Sequence, residues 1–125
     1  MLSTTNMQAV GSVKPTQSGY GSEGKDKATE ARRLVKEAVD ALKRSDERAF
    51  HGLLSGTQRA KYTREYFDFW VSEVVSTRSA RAGEVRFGPA GTTAQVDYSF
   101  FLHGQRHRVW IRLEREGSAW RWNEN

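Results

Sequence analysis

From Thr92 to Trp122 nearly every second residue is apolar, and two Gly-containing breaks divide the stretch into three strands. Side chains of a strand alternate between its faces. Ala94, Val96, Tyr98, Phe100 and Leu102 therefore share one face of the first strand, and Gln95, Asp97, Ser99, Phe101 and His103 share the other. In the next strand His107, Val109, Ile111 and Leu113 alternate with Arg108, Trp110, Arg112 and Glu114; in the last, Trp120 and Trp122 flank Arg121. A two-residue loop at His103-Gly104 sets Tyr98 opposite Val109, Val96 opposite Ile111 and Ala94 opposite Leu113. One residue more in that loop would set each apolar residue against a polar one. Gly104 suits the positive φ of such a turn, and His tolerates it better than most residues. A second turn at Glu116-Gly117 pairs Leu113 with Trp120 and Ile111 with Trp122. The two turns select the same inner face.

The strands need a partner layer, and the helices before them are the candidates. Ala31, Leu34, Val35, Ala38 and Leu42 recur at helical spacing and predict helix one over Lys27 to Arg44. Ser45 or Asp46 caps a second helix over Glu47 to Leu54, with Ala49, Phe50, Leu53 and Leu54 on its buried side and Ser55-Gly56 ending it. Thr57 to Thr77 reads as a third helix, with Thr63 as a cap ahead of Tyr66, Phe67, Phe69, Trp70, Val71, Val74 and Val75. Those aromatics cover more than one stripe, so this helix meets the core and a second surface. Ser79 to Gly83 reads as a break, Glu84 to Phe87 as a short strand, and Gly88-Pro89-Ala90-Gly91 as a turn. That four-residue loop pairs Phe87 with Thr92 and Val85 with Ala94. The prediction is an α+β fold: three N-terminal helices, then a four-stranded antiparallel meander.

Residues 1–26, rich in Ser, Thr, Gly and Gln, read as a disordered tail or linker, and residues 27–125 as one domain. A hydrophobic fraction of 37% with four Trp suffices for a core, and the lack of Cys excludes disulfides and thiolate metal sites. No apolar run approaches the roughly 20 residues of a membrane span. The opening MLSTTNMQAV lacks the apolar stretch of a secretory signal. The cytoplasm is therefore the default compartment, with export only if a signal or anchor has been removed. The net charge of +5 is uneven: residues 27–64 carry ten basic and five acidic side chains, residues 65–125 eight of each. The helical half thus offers a basic surface to solvent or to an acidic protein partner.

The order of an amphipathic helix, a short second helix and a final strand ending in WRWNEN resembles the nuclear transport factor 2-like superfamily, of the cystatin-like α+β roll type. The segment LVKEAVDALKRSDERAFHGLLS is similar to that family's opening helix pair. The resemblance covers about residues 27–123 and rests on layout. It implies a curved sheet wrapped around helix one, a conical pocket, and often a dimer through the sheet. The family includes isomerases and dehydratases as well as non-catalytic members that bind partners or act as assembly domains.

Catalytic members similar to ketosteroid isomerase put carboxylates and a Tyr inside the cone. Here the inner face holds Tyr98 and His107 and no carboxylate; Asp97 and Glu114 face outward, and Asp40 on helix one could reach only a pocket mouth. Tyr98, His107 and Asp40 are the catalytic candidates, each with a plainer reading as a core or surface residue. His51, His103 and His107 lie in different elements with no acidic cluster at ligand spacing, so no metal is expected. GSEG and GPAG lack the strand-then-helix context of a phosphate loop, and no cofactor is expected. Phe101, Arg108, Trp110, Arg112 and Arg121 project from the outer face. Aromatics on a face that meets water favour a partner. A homodimer is the first reading, and nucleic acid stacked on the aromatics between Arg side chains is the weaker one, because Asp97 lies opposite Trp110. The sequence thus predicts a non-catalytic binding or assembly module that self-associates through the outer sheet face, with a small-molecule enzyme as the alternative.

Overall fold

The computed structural model describes residues 19–124, with side chains from Asp26 onward. Most of the expected tail lies outside the described residues. Residues 1–30 and 31–125 form two units, and the features below belong to the second. The described elements run α1 (Gly19–Lys43), α2 (Glu47–Gly52), α3 (Gly56–Ala60), α4 (Arg64–Val74), β1 (Arg78–Phe87), β2 (Thr93–Leu102), β3 (Gln105–Glu116) and β4 (Ala119–Trp122). The fold is α+β, with one open antiparallel sheet in the order β1-β2-β3-β4.

Among the described residues four helices stand where three were expected. Ser55-Gly56 opens a helix instead of ending one: the Ser55 hydroxyl accepts the Gln58 N–H and caps α3. The predicted Thr57–Thr77 helix is then broken at Tyr62 and Thr63. Thr63 takes an extended conformation and its hydroxyl accepts the Tyr66 N–H, so the cap read from the sequence starts a separate helix, α4. The end of α1 has a similar local cause. Ser45 adopts φ 56°, its N–H reaches the Leu42 carbonyl, and the Asp46 N–H reaches the Ala41 carbonyl. That bond pair is a Schellman ending. Asp46 then caps α2 by accepting the Ala49 N–H.

In the sheet, the central hairpin has the predicted register, with Tyr98 opposite Val109, Val96 opposite Ile111 and Ala94 opposite Leu113. His103 and Gly104 have φ 52° and 78°, the two positive values a type I′ turn requires. The outer hairpins differ by two residues. Phe87 faces Ala94 rather than Thr92, and Val85 faces Val96. Leu113 faces Trp122 rather than Trp120, because the last turn is Gly117-Ser118. A two-residue slip leaves every side chain on its face, so the inner face is unchanged. The expected break at Ser79 to Gly83 is instead part of β1, whose pairing is irregular between Arg78 and Arg81 and between Ala82 and Val85.

The inner face packs on α1 and α4. Trp122 is fully buried, 5.6 Å from Phe50 and 5.1 Å from Trp70 between ring centres, and its Nε1 donates to the Tyr66 hydroxyl. Leu34, Val35, Ala38, Val39 and Leu42 of α1 join Val96, Ile111 and Leu113 in the same core. A short bridge from Leu54 to Trp122 runs along the outside of β4.

Candidate binding cleft and sheet faces

Trp70 and Glu73 stand one helical turn apart on α4, and that spacing puts both on one side. They face inner residues of the sheet across a cleft of about 190 Å³, lined also by Phe100, Val109, Trp122 and Glu124. Trp122 and Trp70 meet edge-on there. Val109 is an inner-face residue, yet it is 40% exposed, so the cleft reaches solvent. Two carboxylates, Glu73 and Glu124, lie among its lining residues, which include no Lys, Arg or His among those described. The Arg112 guanidinium lies 3.5 Å from the Glu124 carboxylate, so the negative charge of the cleft rests on Glu73.

One rim of the cleft is a sheet edge. Strand β3 runs from Gln105 to Glu116, but β4 pairs only with Leu113 to Glu116. The Asn123 N–H still reaches the Arg112 carbonyl at 3.0 Å. The Arg112 N–H, however, goes to the Glu124 carboxylate at 2.6 Å, and the Glu124 carbonyl takes the Tyr66 hydroxyl. The chain therefore turns off the sheet toward α4. In an antiparallel strand both backbone groups of a residue point the same way, alternating along the strand. Trp110, Arg108 and Arg106 thus present N–H and C=O to the same side as Arg112, where no strand lies among the described residues.

On the outer face, the register strings the five residues singled out in the sequence along the sheet, from Phe101 opposite Arg106 to Arg121 opposite Glu114, and their own chain engages them. The Arg86 guanidinium sits 4.2 Å over the Trp110 ring and Arg108 lies 5.6 Å from it. This leaves Trp110 half-buried, where the pattern alone offered no intramolecular cover. Arg108 pairs with Asp97 at 2.8 Å, and these contacts raise its pKa. Arg106 covers Phe101 at 4.5 Å. Arg112 approaches Glu124 at 3.5 Å, and Arg121 donates to the Gly52 carbonyl at 2.8 Å. Phe101 remains 36% exposed.

The catalytic candidates are not brought together. Tyr98 is buried and lines the cleft; burial pushes its phenol up to about 12, and the Asp40 carboxylate adds to the rise. Asp40 takes the Lys36 ammonium at 2.9 Å and lines a separate groove beside Ala49 and Leu53. His107 is exposed rather than half-buried, and stacks on Phe100 at 5.6 Å. Burial likewise pushes the Tyr66 phenol up to about 12, against the bond it accepts from Trp122. Among the described residues no group of His, Asp or Glu is arranged to hold a metal ion, and no helix is long and apolar enough to cross a membrane.

No protein-family model matches this chain, and no curated protein matches it. Sequence reasoning missed Trp70, Glu73 and Glu124 as a group. The surplus of aromatics on the third predicted helix was a signal for Trp70 and, through its spacing, for Glu73. Glu124 had none, because its position follows from where β4 leaves the sheet.

Proposed function

We propose that this chain is a non-catalytic binding module, built as a cystatin-like roll of the nuclear transport factor 2-like type, whose site is the cleft between α4 and β3. One observation carries the reading: an aromatic cleft lined by Glu73, with no basic lining residue among those described, opens beside a strand edge that no described strand pairs. Aromatic faces and carboxylates together attract organic cations, which gain both ring quadrupole and charge. Titration with n-butylammonium, followed by the indole N–H signals of Trp70 and Trp122, tests it. Both signals should shift, and the neutral analogue n-butanol should shift them much less. Unmoved indole signals at millimolar probe would overturn the reading.

The second reading is self-association through the outer face, favoured by the exposure of Phe101 on the face that also carries Trp110. The Arg side chains that cover both rings would have to open for a two-fold contact to form.

A further inference from the structure

We propose that the open edge of β3 and the cleft beneath it accept one extended peptide segment, which adds as a strand and sends a Lys or Arg side chain into the cleft. The proposal rests on the cleft reading above and names its ligand. Three observations lead to it.

Arg106, Arg108 and Trp110 present a row of backbone donors and acceptors to a side where no strand lies among the described residues, the usual template for strand addition. The cleft lies beside that row, since Val109, Trp110, Trp70 and Glu73 all line it. Side chains of an added strand alternate between faces. Those on the inner side therefore meet the cleft, where Glu73 and the aromatic rings suit a cation with an apolar stem. Those on the outer side meet Arg106, which suits a carboxylate, and Arg108, whose charge is shared with Asp97. The partner is thus a segment alternating acidic residues with apolar and basic ones.

Charge argues against a second copy of β3 in this place. Two-fold antiparallel pairing centred on residue 107, 108 or 109 sets at least one Arg of Arg106, Arg108 and Arg112 opposite an Arg of the mate. Like charges directly opposite one another destabilise a sheet. The same arginines reject a basic strand and admit an acidic outer face.

The experiment uses the full chain and a short synthetic peptide in which glutamate alternates with valine and one central lysine. Binding is followed by NMR amide exchange and by the Trp70 indole signal. The expected result is slowed exchange at the Arg106, Arg108 and Trp110 amides together with a shifted Trp70 indole. Replacing the peptide lysine by norleucine, or Glu73→Lys in the protein, should weaken binding about tenfold. Arg108→Pro removes one edge donor where proline is tolerated, and should weaken binding more than Arg108→Ala does, with an unchanged circular dichroism spectrum. If that variant unfolds, the amide exchange and Glu73→Lys results decide. A peptide that shifts Trp70 without protecting these amides overturns strand addition and leaves the cleft reading standing. A peptide that does neither, while n-butylammonium still shifts the indoles, overturns it as well. Protection of the same amides in the free protein would overturn it too: in favour of a second copy if it grows with concentration, and of the chain's own N-terminal segment if it disappears on truncation.

Discussion

The Glu124 carboxylate accepts the Arg112 N–H at 2.6 Å, in the place where the Asn123 carbonyl would stand in a continued ladder. With this contact β4 stops, and among the described residues no strand pairs the edge from Arg106 to Trp110. A charge-assisted bond of this kind contributes about 1.5–3 kcal/mol when buried and less at a partly exposed site. Glu124→Ala should therefore lower stability by about 1 kcal/mol and speed exchange of the Arg112 amide. Hydrogen exchange on the paired proteins checks both. An Arg112 amide that exchanges no faster would mean another acceptor holds it.

Trp122 is the centre of the core. Its ring is fully buried among Phe50, Trp70 and the Tyr66 hydroxyl. Trp122→Ala removes a large buried side chain and one donor to the Tyr66 hydroxyl, at a cost of roughly 3–5 kcal/mol. Against a typical total of about 5–15 kcal/mol, that brings the domain near unfolding. Thermal melts of the variant should show a large drop or no cooperative transition. An unchanged melting temperature would mean the inner face is assigned wrongly.

Buried Tyr98 and half-buried Tyr66 set an alkaline limit. Tyr98 and Tyr66 have folded values raised to about 12 by burial, above the ordinary value of 10.0. Below pH 10 both phenols are neutral folded and unfolded, so they add no pH dependence. Between 10 and 12 the unfolded chain ionises first, and stability falls as pH rises. For the buried Tyr98 the loss is of order 2 kcal/mol across that window. Tyr98→Phe keeps the packing and should flatten the decline, as denaturant melts at a series of pH values would measure. An equally steep decline in the variant would remove Tyr98 as a cause.

Trp110 tests the outer face. Arg86 and Arg108 already cover it, yet Trp and Arg are the residues that most often dominate interfaces. If the second reading holds, sedimentation at micromolar concentration will give a dimer that Trp110→Ala weakens without loss of fold. A monomeric parent, or a variant that associates equally well, sinks self-association through this face.

The sequence was most informative where one local rule acts alone. His103-Gly104 dictates its turn, so the central hairpin register could be read to the residue. The outer hairpins slipped by two residues, because alternation fixes the face of a side chain but not its partner along the strand. The helix boundary at Thr63 was half legible: the cap was visible, but not that Ser55 would cap a separate turn before it. The irregular pairing of β1 hid its N-terminal half, where Ser79 takes φ 51°. Of the outer face, the membership was legible and the covering Arg86 was not, since it comes from the neighbour's neighbour in the sheet. The cleft needed tertiary structure altogether: Glu73 and Glu124 are far apart in sequence and line one cleft because the chain turns toward α4 after Trp122.

The most direct test of the cleft is where a small organic cation sits. With n-butylammonium bound, proton–proton NOEs from its methylenes should reach the Trp70 and Trp122 indoles and the Val109 methyls, and Glu73→Lys should abolish them. NOEs confined to Phe101 and Trp110 on the outer face, or none to any of the cleft residues, would contradict the account.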